Sequence, residues 1–209
     1  FHILDPDGSL KREFLKQLAY ERFFVDEVEK DAERLVFTGE VILQKAQGFC
    51  QREAKEASPY LLAADVKATP LLREIGADAY AFAHLTLQEY LAATVLAGRE
   101  DCEKVFCRAY FNPTLAESSE VLPMTLGLVS KPDGLYTALE QLPESLTFTN
   151  LRLRARGLAY SQRISREQLT KLTNQLIEFI KEYTVGGSHY LDVVLRDFSA
   201  ATGEPLGYI

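Results

Sequence analysis

The sequence predicts a mainly α-helical protein that contains one very short β element. Apolar residues recur at helical spacing through most of the chain, and residues that start and stop helices punctuate the pattern. At residues 80–83, Tyr-Ala-Phe-Ala, aromatic side chains alternate with alanines at the period of two that suits a short strand. These observations favour a winged-helix-like domain followed by helical hairpins stacked in a solenoid-like manner.

The first part of the chain has the element order of a winged helix. An apolar stripe over residues 10–23 predicts the first helix. The second is expected to begin at Thr38 and to stop near Ser58-Pro59. Thr69-Pro70 predicts a short third helix, since Pro70 would occupy its first helical position. Helix, helix, short helix, tiny strand and helix is the order of a winged-helix domain with a small wing.

The helix after the predicted strand has clear end signals. Thr86 is expected as its N-cap, with Glu89 completing a capping box, and Gly98 as its left-handed C-terminal cap. His84 therefore falls at the entrance of a helix, where unpaired N–H groups and the helix dipole favour anions. A histidine there can donate a hydrogen bond to a phosphate oxygen. Periodicity alone favours a packed core histidine.

One window of the chain carries a family resemblance. Phe82-x-His84-x-Thr86-x-Gln88-Glu89-Tyr90-x-Ala92-Ala93 resembles a signature of NACHT-family signalling ATPases, which are relatives of the NOD-like receptors of innate immunity. In that family the motif lies in the winged helix that closes the nucleotide-binding module. The resemblance implies that His84 contacts the β-phosphate of bound ADP and holds the inactive state. Gln88, Glu89 and Tyr90 are expected to serve capping and packing.

The second part of the chain is predicted to be a series of short amphipathic helices. The domain boundary is expected at residue 98, giving a winged-helix-like domain over 1–98 and a helical domain over 99–209. Helices are predicted over residues 103–111, 115–129, 135–142 and 150–160, and then from Ser165 to the glycine pair at 186–187 and over residues 191–198. Residues 110–128 resemble the helical segment that follows the winged helix in NACHT proteins, although the tryptophan usual there is missing. No fixed-period repeat is present.

Composition limits the possible functions. The chain has 209 residues, 47% hydrophobic and 25% charged, with a net charge of −7. A negative charge disfavours nucleic acid as a general partner, and no apolar run approaches the roughly 20 residues of a membrane span. Three cysteines without metal-ligand spacing predict reduced thiols in a cytoplasmic protein and no metal site. Because the chain opens on Phe1, we expect a segment of a longer protein.

Catalytic motifs are missing from this sequence. It contains no G-x-x-x-x-G-K-[ST] loop, so no catalytic residues are assigned and the chain alone is not expected to be an enzyme. The resemblance implies that this loop lies upstream in the parent protein, which would bind ADP or ATP with magnesium. No cofactor is expected on the chain alone, and His84 is its one candidate nucleotide contact.

An arginine cluster lies in the second part of the chain. Its members are Arg152, Arg154, Arg156, Arg163 and Arg166. Such a cluster could bind nucleic acid or an acidic partner, because guanidinium groups pair with phosphates in a bidentate manner. The simpler interpretation is a solvated helix edge that pairs with neighbouring Asp and Glu.

Three functional hypotheses follow. The leading one is a regulatory segment of a nucleotide-switched NACHT-type ATPase, which contacts an upstream nucleotide-binding domain and self-associates or binds a protein effector. A helical protein-interaction scaffold without a nucleotide role is the alternative. A nucleic-acid-binding winged helix is the weaker alternative.

Overall fold

The predicted fold class is confirmed. A computed structural model describes Asp5, residues 7–24, residues 35–184 and Arg196. It is mainly helical, with a small three-stranded antiparallel sheet. Its contacts divide the chain into two compact units, Phe1–Val95 and Leu96–Ile209. They are called here the winged-helix unit and the helical unit, and their border falls three residues before the predicted one.

The winged-helix unit contains three helices and three strands before its last helix. The elements are α1 (Ser9–Phe24), β1 (Val36–Thr38), α2 (Gly39–Glu53), α3 (Pro59–Lys67), β2 (Leu72–Gly76), β3 (Ala79–Phe82) and α4 (Leu85–Ala97), whose last two residues fall in the helical unit. The strand order is β1-β3-β2, and both pairings are antiparallel. Strand β3 is therefore central, and the β2–β3 hairpin forms the wing. The unit's core contains two aromatic pairs, Phe14 with Phe49 and Phe37 with Phe82.

Two predicted helix boundaries before the wing were wrong. Ser58-Pro59 begins a helix instead of ending one: the Ser58 side chain accepts a hydrogen bond from the Leu61 N–H, and Pro59 is the first residue of α3. A proline there removes no helical hydrogen bond, which is why the same dipeptide can precede a helix. Thr69-Pro70 in turn leads into a strand, because Leu72 pairs with Phe82 of β3. Thr38, by contrast, caps α2 as predicted.

The helical unit continues with five α-helices and one π turn in the residues described. They are α5 (Cys102–Tyr110), the π turn (Thr114–Ser118), α6 (Val121–Leu128), α7 (Pro132–Glu140), α8 (Thr149–Leu158) and α9 (Arg166–Thr184). The single helix predicted over residues 115–129 is thus two elements. Pro123 lies in the first turn of α6, where its missing N–H is not needed by the helix.

The structure describes the start of the predicted helix at Ser165, but of the residues after Thr184 it describes only Arg196. Ser165 caps α9 as predicted, since its hydroxyl accepts a hydrogen bond from the Gln168 N–H at 3.2 Å. The Gln168 side chain does not return to Ser165 but donates to the Thr137 hydroxyl at 2.8 Å. The predicted helix end at Gly186-Gly187 and the helix over residues 191–198 lie outside the described residues, apart from Arg196.

Candidate functional site

The sheet of the winged-helix unit fixes the backbone that leads to His84. Phe82, the last residue of β3, is buried against Phe37, with ring centroids 5.9 Å apart. The next residue, Ala83, donates its N–H to the carbonyl of Leu71 at 2.9 Å. Because this hydrogen bond extends the β2–β3 pairing, the residue before His84 is tied to Leu71, which directly precedes β2.

His84 occupies the N-cap position of α4. Its carbonyl oxygen accepts hydrogen bonds from the N–H groups of Leu87 and Gln88, at 3.1 and 3.4 Å. The helix therefore begins at Leu85, and Thr86, the expected N-cap, is its second residue. This shift brings His84 closer to the unpaired N–H groups of the first turn than the sequence predicted.

The side chain of His84 is exposed. Exposed neighbours along the chain are Leu85, at 48% relative accessibility, and Thr86. Leu71, whose carbonyl is bonded to Ala83, is 38% exposed. The reading of His84 as a packed core histidine is therefore wrong. The imidazole is open to a ligand or to another protein surface at the mouth of a thirteen-residue helix.

The other motif residues divide between inside and outside. Gln88 and Glu89 are 1% and 4% exposed, so they lie in the interior, as a packing role requires. Both have interaction partners. Tyr90 is 47% exposed, so it is less packed than expected. His84, the motif position to which the resemblance assigns a phosphate contact, is exposed to solvent.

The arginine cluster does not form one surface. Arg154 is buried in the helical unit, where its Nη1 donates to Gln175 Oε1 at 2.7 Å and to Glu140 Oε1 at 3.3 Å. Burial lowers the pKa of the Arg154 guanidinium, and the Glu140 carboxylate opposes that shift. Arg163 and Arg166 are exposed. The cluster in the sequence therefore mixes interior and surface groups.

Arg156 is a second arginine with an internal role. It donates to the carbonyls of Ala116, Glu117 and Ser119 at the end of the π turn, and to Glu120 Oε1 at 2.8 Å. These carbonyls lie where a helical turn runs out of N–H donors. The guanidinium supplies the missing donors and holds the π turn against α8. Both arginines pair with acids, but these are distant in the sequence, and the predicted setting as a solvated helix edge was wrong for Arg154 and Arg156.

Sequence reasoning missed the acidic partners of these two arginines. Glu140 lies fourteen residues before Arg154 and belongs to no motif that the sequence shows, yet its side chain is 7% exposed. It also pairs with Lys171 of α9. The sequence signal for the burial of Arg154 was its apolar surroundings. It lies between Leu153 and Ala155, and Asn150 and Leu151, four and three residues earlier, lie on the same face of α8.

The helix that reads DNA in many winged-helix proteins has an apolar and acidic outer face here. On α3 the exposed side chains include Tyr60, Leu61 and Asp65. Lys67, the one basic residue of this helix, lies over the Tyr80 ring, 5.5 Å from its centroid. Asp65 pairs with Lys11 at 2.9 Å. A face with this charge pattern lacks the basic groups that neutralise phosphates.

Nowhere in the described ranges do three or more His, Cys, Asp or Glu side chains gather in a way that could hold a metal ion. No helix within those ranges is both long and apolar enough to cross a membrane.

Comparisons with known proteins gave no match. Neither the protein-family models, nor the curated proteins, nor the solved structures contain a counterpart that matches this chain.

Proposed function

We propose that this chain is the winged-helix and following helical region of a nucleotide-switched NACHT-type signalling ATPase. In this proposal an upstream domain of the same parent protein holds ADP, and His84 donates a hydrogen bond to the β-phosphate. That bond keeps the two domains closed and inactive. The observation that carries the proposal is an exposed histidine at the mouth of α4, at the motif position to which the family resemblance assigns the phosphate contact.

The energetics suit a switch more than a binding site. A hydrogen bond to a charged group contributes about 1.5–3 kcal/mol. This is enough to bias an equilibrium between two domain arrangements, and too little to bind a nucleotide unaided. Replacement of ADP by ATP would remove the contact, so that the winged-helix unit separates and the parent protein self-associates or engages its effector.

The remaining chemistry belongs to the upstream domain in this proposal. The phosphate-binding loop and the magnesium-binding carboxylate would lie there, because this chain contains no Walker-type loop. The chain's contribution is to position one imidazole. The hydrogen bond from Ala83 to Leu71 and the buried Phe82 hold the backbone beside it, so that His84 would approach the phosphate in a fixed orientation.

The test compares two substitutions of His84 in the parent protein. His84→Ala removes the donor. His84→Asp removes it and adds a carboxylate that repels phosphate, although aspartate is a better N-cap than histidine and should stabilise α4. We expect ADP retention, measured by chromatography of nucleotide released from the purified protein, to fall about tenfold with Ala and further with Asp. Basal signalling should rise in the same order.

The matched control is Ser58→Asp. This substitution places the same charge at the N-cap of α3 in the same unit, and aspartate retains the capping function of Ser58. It should leave nucleotide content unchanged. Equal ADP content in wild type and both His84 variants, or a parent sequence without a phosphate-binding loop before Phe1, would overturn the proposal.

A protein-interaction scaffold is the second candidate, favoured by one observation. Tyr60 and Leu61 of α3 are 65% and 41% exposed, which gives this helix an apolar outer face suited to a protein partner. The same face argues against a nucleic-acid-binding winged helix. Salt-dependent binding of the chain to duplex DNA, lost on Lys67→Ala, would support the nucleic-acid function instead.

A further inference from the structure

Strand β2 lies at one edge of the three-stranded sheet. The strand order β1-β3-β2 places β3 on one side of it, and among the described residues no strand lies on its other side. Four of its five residues are exposed. An edge strand presents backbone N–H and C=O groups that can pair with another extended chain.

The register of the sheet tells which backbone groups of β2 face outward. The Ala83 N–H donates to the Leu71 carbonyl at 2.9 Å, so these two residues form a hydrogen-bonded pair. Hydrogen-bonded and non-hydrogen-bonded pairs alternate in an antiparallel ladder, so the backbone groups of Leu72 and Glu74 point away from β3. The Leu72 N–H donates to the Thr69 carbonyl at 3.2 Å. The Leu72 carbonyl and both backbone groups of Glu74 therefore face outward.

A β-bulge limits the length of this edge. The register of β2 against β3 shifts between Glu74 and Gly76. A bulge bends its strand and interrupts regular pairing. The regular part therefore runs over residues 71–74, and we call it the outer edge of β2.

The side chain of Arg73 gives this edge a charge preference. Leu72 points into the core, so Glu74 points to the same side of the sheet and Arg73 to the opposite side. Arg73 is exposed and makes no ion pair within the described part of the chain. Its neighbour on β3 is Ala81, which carries no charge. An acidic residue opposite Arg73 on an added strand would supply a partner.

We propose that the outer edge of β2 binds an extended segment of a partner protein, with an acidic residue of that segment opposite Arg73. This proposal does not depend on the nucleotide switch. The backbone of the segment would pair with Leu72 and Glu74 by β-strand addition. The pairing of the acidic residue with Arg73 would fix the register, because a slip by one residue moves every side chain to the other face.

A second copy of the chain fits this edge poorly. In an antiparallel pair of β2 strands, residues that lie opposite each other point to the same face of the sheet. Two registers keep Glu74 opposite the outer edge of the copy. One places Arg73 opposite the copy's Arg73, and the other places Glu74 opposite the copy's Glu74. Like charges directly opposite each other destabilise a strand pair, and the net charge of −7 also opposes association.

Two synthetic peptides test the charge contact. Both consist of about ten alternating valine and threonine residues, with a central glutamate in one and a central lysine in the other. Nuclear magnetic resonance titration of the isotope-labelled chain reports binding through the backbone amide of Glu74. We expect the glutamate peptide to bind about fivefold to tenfold more tightly, and Arg73→Glu to reverse the order. Arg12→Glu, the same charge change at an exposed position of α1, should leave the order unchanged.

A pair of variants at Glu74 tests the backbone contact. Glu74→Pro removes the outward N–H, whereas Glu74→Thr retains it, and both remove the carboxylate. Proline is tolerated in an edge strand where the N–H faces solvent. Binding of the glutamate peptide should be at least about tenfold weaker to the Pro variant than to the Thr variant.

The peptide offers the same comparison if Glu74→Pro does not fold. N-methyl groups on alternate residues block one edge of an extended peptide. Methylation of the edge that faces β2 should abolish binding to the wild-type chain, and methylation of the other edge should leave it unchanged.

Several results would overturn the proposal. They are the absence of saturable binding at millimolar peptide, equal binding of the two peptides, and an order that Arg73→Glu does not reverse. Equal binding to the Pro and Thr variants of Glu74, or to the two methylated peptides, would also overturn it. A wild-type dimer in light scattering that Glu74→Pro converts to a monomer would assign the outer edge to a second copy instead.

Discussion

The two units place their most informative charged or ionisable side chains in opposite environments. In the winged-helix unit His84 is exposed at a helix mouth, and ion pairs such as Lys11–Asp65 lie at the surface, with side chains 26% and 46% exposed. In the helical unit the Arg154–Glu140 pair is 7% exposed on both sides. A single histidine can therefore be a candidate site while a dense arginine cluster is partly structural.

The difference between the buried and the surface ion pair is tested most directly by removing one acidic residue from each unit. Glu140→Ala leaves the buried Arg154 guanidinium without its carboxylate, and we expect a loss of about 3–5 kcal/mol in the free energy of unfolding. Asp65→Ala removes the partner of Lys11 at the surface and should cost less than about 1 kcal/mol. Urea denaturation followed by circular dichroism measures both.

A double substitution separates charge burial from packing. Arg154→Met combined with Glu140→Leu replaces the pair by apolar side chains of similar size, and it should recover most of the stability lost in Glu140→Ala. Arg163→Ala, an exposed member of the same cluster, should change stability by no more than about 0.5 kcal/mol. Equal losses for Glu140→Ala and Asp65→Ala would show that the two units do not differ in this respect.

Three helical glycines differ in the space that surrounds them. A Cβ at Gly127 of α6 would overlap the backbone carbonyl of Tyr160, so Gly127→Ala should cost about 1–3 kcal/mol. A Cβ at Gly39 of α2 would meet the carboxylate of Asp78, which is exposed and can rotate away, so Gly39→Ala should cost less. Gly134→Ala in α7 meets nothing within 4 Å and should stabilise the protein by about 0.5–1 kcal/mol. Thermal unfolding of the three variants ranks them, and the opposite order would contradict the close packing at Gly127.

Substitutions of Thr38 and Thr170 compare the contribution of a helix cap with that of a residue in a helix interior. Thr38 caps α2 by accepting the Val41 N–H at 3.2 Å, so Thr38→Ala should cost about 1 kcal/mol although Thr38 is exposed. Thr170 is an exposed residue within α9, where alanine is the better helix former, and Thr170→Ala should gain a few tenths of a kcal/mol. Denaturation midpoints give both values. A neutral Thr38→Ala would mean that water replaces the cap at no cost.

Sequence patterns predicted the helices of this fold well because most of them carry apolar stripes. The strands were harder. Strand β1 has three residues, and four of the five residues of β2 are exposed, so neither shows the alternation that identifies a half-buried strand. Pairing with β3 creates them, and that pairing is a tertiary contact. Ser58-Pro59 failed for a different reason, since serine followed by proline is compatible with either end of a helix.

Some features of the candidate site were predicted from the sequence, and others were not. The position of His84 before a helix followed from local end signals, within two residues. Its exposure did not, because periodicity does not tell which side of a short loop faces the core. The burial of Arg154 was indicated only by its apolar neighbours in the sequence, since its partners Glu140 and Gln175 come from two other helices. Local chemistry can be read from the sequence, whereas the choice between interior and surface depends on distant partners.

The smallest expected effect concerns Cys102 of the helical unit. A cysteine at the start of a helix ordinarily has a lowered pKa, because the helix dipole stabilises the thiolate. Here burial, helped by the nearby Asp101 carboxylate, raises the pKa of Cys102 to about 11. The folded state therefore prefers the neutral thiol, so its contribution to stability is complete below about pH 8.5 and is lost as the pH rises through 11.

Two measurements check the balance between burial and the dipole at Cys102. Alkylation of Cys102 by iodoacetamide at pH 8, followed by peptide mass spectrometry, should be slower in the folded than in the unfolded protein. The unfolding midpoint should fall more between pH 9 and 11 in wild type than in Cys102→Ala. Around pH 7 the midpoint should not depend on pH in either protein. Rapid alkylation at pH 7 would mean that the helix dipole outweighs burial. In that case desolvation would be a weaker influence on ionisable groups in the helical unit than the burial of Arg154 indicates.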